Sequence, residues 1–339
     1  MSLKSHLFIS ITLIYGLSNY ILGQNNREPL DPANAISNLE LYPGIHATLF
    51  ASEPMISSVT NLDIDHRGRV WVCEVMNYRE HGKNNTRPEG DRILILEDED
   101  GDGVADKSKT YYQGRDVDAA MGICVIGNQV IVSCAPNIIL FTDQDGDDVP
   151  DKKEYIHIYT GQKQNDHSTH SFMPGPDGKL YWNMGNSGKY VHDRNGKLMK
   201  DKAGDLVFDR KHAHELPDYG PDDTPYIGGM IFRTNLDGSD FEVIAHNFRN
   251  NYENTIDSYG AIWQSDNDDD GYFGVRLNYI LEYGNYGYRD EKTLANWKAD
   301  RVSAHSVTSK RHWHQNDPGV VPNFAQTGAG SPTAITVYE

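Results

Sequence analysis

The sequence has 339 residues, of which 38% are hydrophobic, and its mean hydropathy is −0.63, which fits a soluble body of one large or two ordinary domains and argues against disorder. Its 31 Lys and Arg stand against 49 Asp and Glu, giving a net charge of −18. A negative field repels phosphate backbones and anionic lipid surfaces, so no nucleic-acid partner is expected, whereas cations, neutral sugars and basic proteins remain compatible with it.

The first 23 residues have the pattern of a secretory signal peptide. Lys4 supplies the positive end, residues 7–22 are mostly apolar, and Gly23 is a small residue near a cleavage point. A membrane anchor is the alternative, but polar residues interrupt the run and it is shorter than the ~20 apolar residues that span a bilayer. We therefore predict a signal peptide (1–23), a linker (24–40) and an exported protein, either periplasmic or extracellular, with membrane association left open.

The chain contains only three cysteines, Cys73, Cys124 and Cys134, too few for a disulfide-scaffold fold, and the odd count leaves at least one thiol free or paired between chains. Cys124 and Cys134 flank a Gly-Asn turn between two strand-like runs. Counting outward from that turn places Ile131 opposite Cys124, so we expect no bridge between the two cysteines. No CxxCH occurs, so this segment carries no c-type haem attachment site.

From about Leu41 onward, short strand-like runs alternate with turns of Gly, Asp and Asn, and no stretch keeps helical spacing for long. The repeated first strands follow a turn glycine, as in GRVWVCEV, GNQVIVSC, DGKLYWNM and YGAIWQSD. Second strands ending in acidic turns follow in RILILEDEDGDG, NIILFTDQDGDD and MIFRTNLDGSD. This pattern predicts an all-β chain.

Recurring units of a few strands are typical of propeller blades, because one small sheet cannot bury both of its faces alone. We expect about four blades within residues 41–290, with insertions 186–223 and 291–323 on a rim. The final AITVYE resembles a strand that has just begun. The prediction is therefore a β-propeller domain (41–339), truncated at its C-terminal end to an incomplete ring of about four to five blades, and a β-sandwich is the weaker alternative.

Three acidic turns are candidate calcium sites. Alternating carboxylates on a tight turn can converge on one hard cation, and a glycine permits the bend. Lys109 occupies position twelve of the first turn, so these are not EF-hands. A solvated turn without an ion is the alternative; a bound ion would stiffen the turn. The predicted ligands are Asp98, Asp100, Asp102 and Asp106; Asp143, Asp145, Asp147 and Asp151; and Asp266, Asp268 and Asp270.

A histidine segment, residues 165–188, is the candidate catalytic motif. His167 and His170 come just before a predicted strand, and inner strands of a propeller begin at the central channel where ligands bind. A histidine there can act as a general base, because its pKa lies near neutrality. The alternative is a turn-capping or surface histidine.

The segment HSTHSFMPGPDGKLYWNMGN resembles the signature of the soluble glucose and sorbosone dehydrogenases. NFRNNYENTIDSYGAIWQSDND and NYILEYGNYGYRD resemble the stretches that follow it in those enzymes, in the same order. The resemblance implies a six-bladed propeller that uses pyrroloquinoline quinone (PQQ) with calcium.

A closer resemblance, over residues 41–338, is to a family described as a membrane-bound dehydrogenase domain. LYPGIHATLFASEP, LDIDHRGRVWVCEVMNYRE, DRILILEDEDGDGVADK and GICVIGNQVIVSCAPNIILFTDQDGDDVPDK are similar to its successive signatures. The family occurs in large exported bacterial proteins that often continue into helical repeats and a c-type cytochrome. That resemblance implies a cytochrome c-type electron acceptor, fused downstream or separate.

The resemblance to the dehydrogenases implies a hydride transfer from a C–OH group of a sugar or polyol to bound PQQ. His167 matches the catalytic base, with His170 as the second candidate. Arg249 and Asn250 match an Arg-Asn pair that faces the quinone. Asn267 stands where those enzymes carry a Gln, and their later basic residues would lie beyond Glu339. The alternatives are a channel-lining salt bridge for Arg249 and, for the whole chain, a non-catalytic, calcium-stiffened propeller that binds glycans or proteins.

Overall fold

A computed structural model describes residues 32–37, 39–78, 87–267 and 272–339. The predicted signal peptide, Asp268 and Asp270 lie outside the described residues. The chain divides into a small unit, Met1–Met55 with Asp98–Ala105, and a large unit, Ile56–Glu97 with Asp106–Glu339. The small unit contains a 3₁₀ helix, Pro32–Asn34, and the first acidic turn. All the strands described below belong to the large unit.

Eighteen strands are described in the large unit. In chain order they are β1 (Val59–Ile64), β2 (Val70–Glu74), β3 (Asp91–Glu97), β4 (Lys107–Gly114), β5 (Gly122–Ile126), β6 (Gln129–Cys134), β7 (Asn137–Thr142), β8 (Lys152–Ile158), β9 (Thr169–Pro174), β10 (Leu180–Met184), β11 (His192–Asp193), β12 (Gly229–Thr234), β13 (Glu242–Phe248), β14 (Asn251–Ile256), β15 (Ile262–Asp266), β16 (Val275–Ile280), β17 (Gly284–Asn285) and β18 (Ala325–Gly328).

These strands form four antiparallel sheets that follow one another along the chain. Their orders are β1-β2-β3-β4, β5-β6-β7-β8 with β11 outside it, β9-β10-β12-β13 with a short parallel β17, and β14-β15-β16-β18. The first strands of successive sheets, β1, β5, β9 and β14, contact one another in that order. This is the arrangement of four propeller blades, and the predicted all-β propeller is confirmed.

Each interior blade is covered on both faces by its neighbours. In β6, Ile131 faces the core shared with the third sheet, whereas Val130 and Val132 face the core shared with the first sheet. Alternate residues of a strand point to opposite faces, so a strand between two neighbours is apolar at every position. This is why the interior strands appear in the sequence as continuous apolar runs. A third core, which includes Ile231 and Ile262, joins the third and fourth sheets.

Polar side chains complete the contact between the innermost strands. The Oδ1 of Asn61 and the Oδ2 of Asp63 on β1 accept hydrogen bonds from the backbone amides of Ile123 and Val125 on β5, at 2.9 and 2.6 Å. Ser171 on β9 donates to the backbone carbonyl of Tyr252 at 2.9 Å. These bonds satisfy strand edges that a sheet ladder leaves open.

The two insertions hold little regular structure. Within 186–223 lie β11 and two 3₁₀ helices, Arg210–Glu215 and Pro221–Asp223, while 291–323 contains one short helix, α1 (Thr308–His312). None of the helices within the described residues is long and apolar enough to cross a bilayer. Residues 329–339 form no strand, but Ser331 contacts Asn267 and the Glu339 carboxylate accepts from the Ser258 amide at 3.0 Å, so the segment follows β14.

All three cysteines are free and buried, and Cys124 pairs in register with Ile131, as the turn predicts. Burial, with a smaller effect from Asp91, raises the pKa of Cys73 to about 12. Burial also raises the pKa of Cys124 and of Cys134. The reactive form of a thiol is the thiolate, so these side chains are chemically protected in the folded protein.

We therefore expect iodoacetamide to leave all three thiols of the native protein unlabelled at pH 8, and to label all three in guanidinium. Intact-mass spectrometry measures both states. Fast labelling of a native cysteine would contradict the buried positions described here.

Candidate functional site

The starts of the four innermost strands line one cavity of about 470 Å³ in the large unit. Each blade contributes to its wall, because propeller inner strands begin at the same end of the channel. The lining residues are Ser58, Val59, Thr60, Val75, Tyr78, Met121, Asp166, His167, Asn250, Tyr252, Asn267, Ser331 and Thr333. Three of the residues that the sequence singled out, His167, Asn250 and Asn267, thus meet at one cavity.

His167 lies in the turn before β9 and is half-buried. Its Nδ1 lies 2.7 Å from the Oδ1 of Asn186. The Nδ2 of Asn186 donates to the Tyr288 hydroxyl at 3.2 Å, and the Asn186 backbone amide donates to the Arg249 carbonyl at 2.7 Å. With the Asn186 amide oriented in this way, its oxygen faces the ring, so the network assigns the proton to Nδ1 and leaves Nε2 as an acceptor.

His170 occupies a different environment, three residues further along. It is fully buried, its ring stacks on Tyr252 with 4.4 Å between centroids, and its Nε2 and Nδ1 lie 2.7 and 3.2 Å from the backbone carbonyls of Asp166 and Asn251. Burial lowers the pKa of His170 to about 4, despite both carbonyl contacts. His170 does not line the cavity, so His167 is the better placed of the two.

Arg249 and Asn250 stand at the turn between β13 and β14. The Nη1 of Arg249 donates to the side-chain and backbone oxygens of Asn267 at 3.0 and 3.3 Å. Asn267 in turn donates from Nδ2 to the Ser331 hydroxyl at 3.1 Å. The Oδ1 of Asn250 is buried and has no hydrogen-bond partner among the described residues, although Asn250 lines the cavity. An orphaned acceptor at a cavity wall suits a ligand that offers a donor.

Gly185, which is not among the residues predicted from the sequence, makes the close approach of these groups possible. A Cβ at this position would lie 2.6 Å from both the Asn250 Oδ1 and the His167 carbonyl oxygen. Asn186, the partner of His167, is the next residue. Both belong to the NMGNSG end of the histidine segment, whose Gly and Asn content was the available signal.

Asp266 has a structural role that replaces the predicted metal role. It is fully buried, and its Oδ2 accepts from the Nη2 and Nε of Arg276 at 2.7 and 3.1 Å. Its Oδ1 accepts from the Asn250 amide at 2.8 Å, and Oδ2 also accepts from the Arg249 amide at 3.3 Å. A cation at Asp266 would have to displace Arg276, so we withdraw Asp266 from the predicted ligands.

Arg276 is a second residue of this region that was not predicted from the sequence. Its guanidinium is fully buried, lies 3.7 Å from the centroid of the Trp313 ring and donates from Nη1 to the Tyr286 carbonyl at 2.6 Å. The ion pair with Asp266 therefore fixes the Arg249-Asn250 turn from behind. No sequence signal distinguishes this arginine within the strand VRLNYI.

The first two acidic turns share one hydrogen-bond pattern. In the small unit Asp98 accepts from the amides of Gly101 and Gly103 at 2.7 and 2.8 Å, and in the large unit Asp143 accepts from Gly146 and Asp148 at 2.8 and 2.9 Å. Four further carboxylates each accept a hydrogen bond from the backbone amide two residues later: Asp100 and Asp102 in the first turn, and Asp145 and Asp147 in the second. Asp151 accepts a hydrogen bond from the Gln144 amide. Asp106 belongs to the large unit.

The second turn has a donor set that fits a hard cation. Asp143, Asp145 and Asp151 each offer a carboxylate oxygen, and these oxygens lie within 4.8 Å of one another. Asp147 is not in this group. Three carboxylate oxygens in this space match the oxygen ligands that calcium prefers, and backbone carbonyls and water would complete its shell.

If this turn binds calcium only in the folded state, calcium at 100 times its Kd is expected to raise the free energy of unfolding by about 2.7 kcal/mol. Asp145→Asn should remove most of this gain, since it deletes one charge and keeps an acceptor for the backbone. Thermal unfolding with calcium and with chelator measures the effect, and Asp218→Asn, on an exposed loop residue, is the control. A melting curve that calcium leaves unchanged would remove the ion from this turn.

Comparison with known proteins gives one family and several distant structures. No curated protein matches the sequence at a significant level. Similar solved structures include the PQQ-bound aldose sugar dehydrogenase of Streptomyces coelicolor (16% identity, TM-score 0.46, 74% of this chain and 66% of that chain). The holo PQQ domain of pyranose dehydrogenase from Coprinopsis cinerea is also similar (14% identity, TM-score 0.46, 69% of this chain and 55% of that chain). So is a calcium structure of a Trichoderma reesei carbohydrate-active enzyme of family AA12 (13% identity, TM-score 0.49, 83% of this chain and 70% of that chain).

The chain thus spans less than two thirds of the length of the first two of these structures. TM-scores below 0.5 at such identities carry no information about what this chain binds. The family model, in contrast, matches residues 31–338, which is most of the sequence. The chain therefore belongs to the family described as the domain of unknown function DUF7133.

Proposed function

We propose that this propeller is an exported oxidoreductase of the sugar dehydrogenase type, which removes hydride from a C–OH group of a sugar or polyol and transfers it to PQQ. The single observation that carries the proposal is the placement of His167 at the cavity wall, with its Nδ1 held by Asn186. The sequence resemblance of the histidine segment to the glucose and sorbosone dehydrogenases supports the same reaction.

In the proposed reaction His167 is the general base. Its Nε2 takes the proton of the substrate hydroxyl while the carbinol C–H bond breaks and its hydrogen leaves with both electrons, so the product is a carbonyl compound. Asn186 Oδ1 accepts the Nδ1 proton throughout, which fixes the ring orientation and the reactive tautomer. PQQ, when bound, would supply the two-electron acceptor.

Arg249, Asn250 and Asn267 are the groups that would hold the quinone. Arg249 places a guanidinium behind Asn267, where it can attract the carboxylates of an anionic ring compound, and the unpartnered Oδ1 of Asn250 can accept from a ring N–H or a substrate hydroxyl. These contacts fit one edge of such a ligand. Electrons would then pass to a cytochrome c-type acceptor, which the family resemblance implies.

A non-catalytic, calcium-stiffened binding propeller is the second candidate. The shared hydrogen-bond pattern of the two acidic turns supports it, because rigid turns are what a docking scaffold needs. In that case glycans or protein partners would occupy the cavity end of the blades, and no hydride acceptor would bind.

Dye reduction by the protein expressed from its full reading frame, reconstituted with PQQ and calcium, tests the proposal across a panel of sugars and polyols. We expect His167→Ala to lower kcat by about 10²–10⁴-fold, the usual contribution of a general base. His214→Ala, at an exposed histidine whose side chain is 73% accessible, is the matched control and should be fully active. Absence of both PQQ binding and dye reduction would favour the binding propeller.

A further inference from the structure

Tyr288 is the outermost member of a short hydrogen-bond chain that ends at the proposed base. Its hydroxyl accepts from the Nδ2 of Asn186 at 3.2 Å, and the Oδ1 of the same amide lies 2.7 Å from the Nδ1 of His167. Tyr288 is not among the residues that line the His167 cavity. Any effect of this tyrosine on the reaction must therefore pass through Asn186.

The backbone that carries Tyr288 is held by one fully buried residue, Asn247. The Asn247 carbonyl accepts from the Tyr288 amide at 2.9 Å. The Asn247 side chain binds the next residue twice, because its Oδ1 accepts from the Arg289 amide at 2.9 Å and its Nδ2 donates to the Arg289 carbonyl at 2.8 Å. Asn247 precedes Arg249 by two residues. Three hydrogen bonds thus fix the position of Tyr288 beside the Arg249-Asn250 turn.

Asn186 is the member of the chain that needs an anchor. A carboxylate can accept from a histidine Nδ1 with either oxygen, whereas an amide can accept with only one of its two ends. The Tyr288 hydroxyl holds the far end of this amide, and the Arg249 carbonyl accepts from the Asn186 backbone amide at 2.7 Å. Because Asn186 is held at its backbone and at Nδ2, its Oδ1 stays at the histidine ring.

The position of the proton on His167 depends on this contact. A neutral imidazole carries one proton, and the hydrogen bond made by one ring nitrogen decides which nitrogen holds it. While the Asn186 Oδ1 accepts from Nδ1, Nε2 keeps the lone pair that the proposed base uses. If the amide moves away from the ring, the proton can shift to Nε2, and that form cannot accept a proton from a hydroxyl there.

We propose that Tyr288 is a positioning residue for His167, which acts by anchoring the Asn186 amide. The catalytic consequence rests on the proposed function, because it concerns the same site, whereas the tautomer of His167 is a property of the protein without any ligand. Tyr288→Phe removes the hydroxyl and keeps the ring, whose centroid lies 5.1 Å from the Arg289 guanidinium carbon.

The tautomer of His167 in the protein without ligand is the first readout. Long-range ¹H–¹⁵N correlation spectra at pH 8, where an ordinary histidine is neutral, distinguish the two tautomers by their ring-nitrogen shifts. The signals that His167→Ala lacks are those of His167. We expect the Nδ1–H form in the unaltered protein and a mixture with the Nε2–H form in Tyr288→Phe. The same tautomer in both proteins would overturn the proposal.

The second readout is dye reduction by the PQQ-reconstituted protein. We expect Tyr288→Phe to lower kcat by about 3–10-fold, the rate equivalent of one hydrogen bond, and to leave KM and PQQ binding unchanged. Asn186→Asp should suppress this loss, because a carboxylate makes a stronger, charge-assisted hydrogen bond to Nδ1 that does not need the anchor. In that background, Tyr288→Phe should change kcat by less than about twofold.

Tyr279→Phe, at an exposed tyrosine of the same blade, is the matched control and should react as the unaltered protein does. An equal loss of kcat on Tyr288→Phe in both backgrounds, or a change in KM alone, would contradict a role through Asn186. If the unaltered protein oxidises no sugar, the proposed function fails, and the tautomer of His167 still decides whether Tyr288 positions the ring.

Discussion

Replacing Asp266 by Ala is expected to lower the free energy of unfolding by about 3–5 kcal/mol, the usual cost of breaking a buried ion pair. The substitution leaves the Arg276 guanidinium fully buried without its carboxylate, 3.7 Å from the Trp313 ring. It also removes the acceptor of the Arg249 and Asn250 amides. Urea unfolding followed by tryptophan fluorescence measures the loss.

Lys152→Ala is the control for this prediction, because it breaks an exposed pair between Lys152 and Glu154. Exposed pairs contribute about 0–1 kcal/mol, so this variant should unfold almost as the unaltered protein does. If Asp266→Ala also cost less than about 1 kcal/mol, the Asp266–Arg276 pair would not be the support of the Arg249-Asn250 turn.

The second large effect is expected in acid. Burial lowers the pKa of His157, of His170 and of His246 to about 4. In the unfolded chain these histidines bind protons as the pH falls below the ordinary histidine pKa of about 6.5, whereas in the folded protein they stay neutral down to about pH 4. The free energy of unfolding therefore falls as the pH falls from about 6.5 to about 4. Each fully buried histidine can cost up to roughly 3 kcal/mol across this window.

Asp63 and Asp91, whose pKa burial also raises, oppose this trend, and so does Glu253. Its pKa is raised to about 7 by burial, so the folded protein gains a proton there before the unfolded chain does, and stability rises as the pH falls from about 7 to about 4.5. The three buried histidines outweigh these carboxyl groups, and the net loss is on the order of several kcal/mol, a large part of a typical domain stability of about 5–15 kcal/mol.

His157→Leu should therefore move the acid-unfolding midpoint to lower pH. His157 packs against Trp182 and Phe241, so a leucine keeps an apolar side chain in this position and removes the ring that must charge in acid. Circular dichroism over pH 3–8 records the midpoint, with exposed His214→Ala as the control. An unchanged midpoint in His157→Leu would contradict the assigned burial effect.

The blades could be predicted because their signals are local. A glycine turn before a β-branched or aromatic strand identified β2, β6, β10 and β15, and the Gly-Asn turn correctly placed Ile131 opposite Cys124. The interior strands are continuous apolar runs because neighbouring blades cover both of their faces. Residues 329–339 lie beside β14 without forming a strand, so the strand that AITVYE predicted is not present among the described residues.

The site could be predicted only in part, because its remaining contacts join residues far apart in sequence. The sequence ranks His167 before His170 through the family resemblance alone. In the structure His167, in the turn before β9, lines the cavity, whereas His170, within β9, is buried. The third acidic turn resembles the first two in sequence, but Asp266 ends β15 and meets Arg276 across the sheet. The pairing of His167 with Asn186 likewise depends on the path of β10 and the loop that follows it.

Sugar oxidation by the PQQ-reconstituted protein, measured beside PQQ binding, tests the role of His167 most directly. If His167 Nε2 is the base, His167→Ala lowers kcat by about 10²–10⁴-fold while it still binds PQQ. A His167→Ala variant that binds PQQ and keeps the rate of the unaltered protein would contradict the assignment of the base.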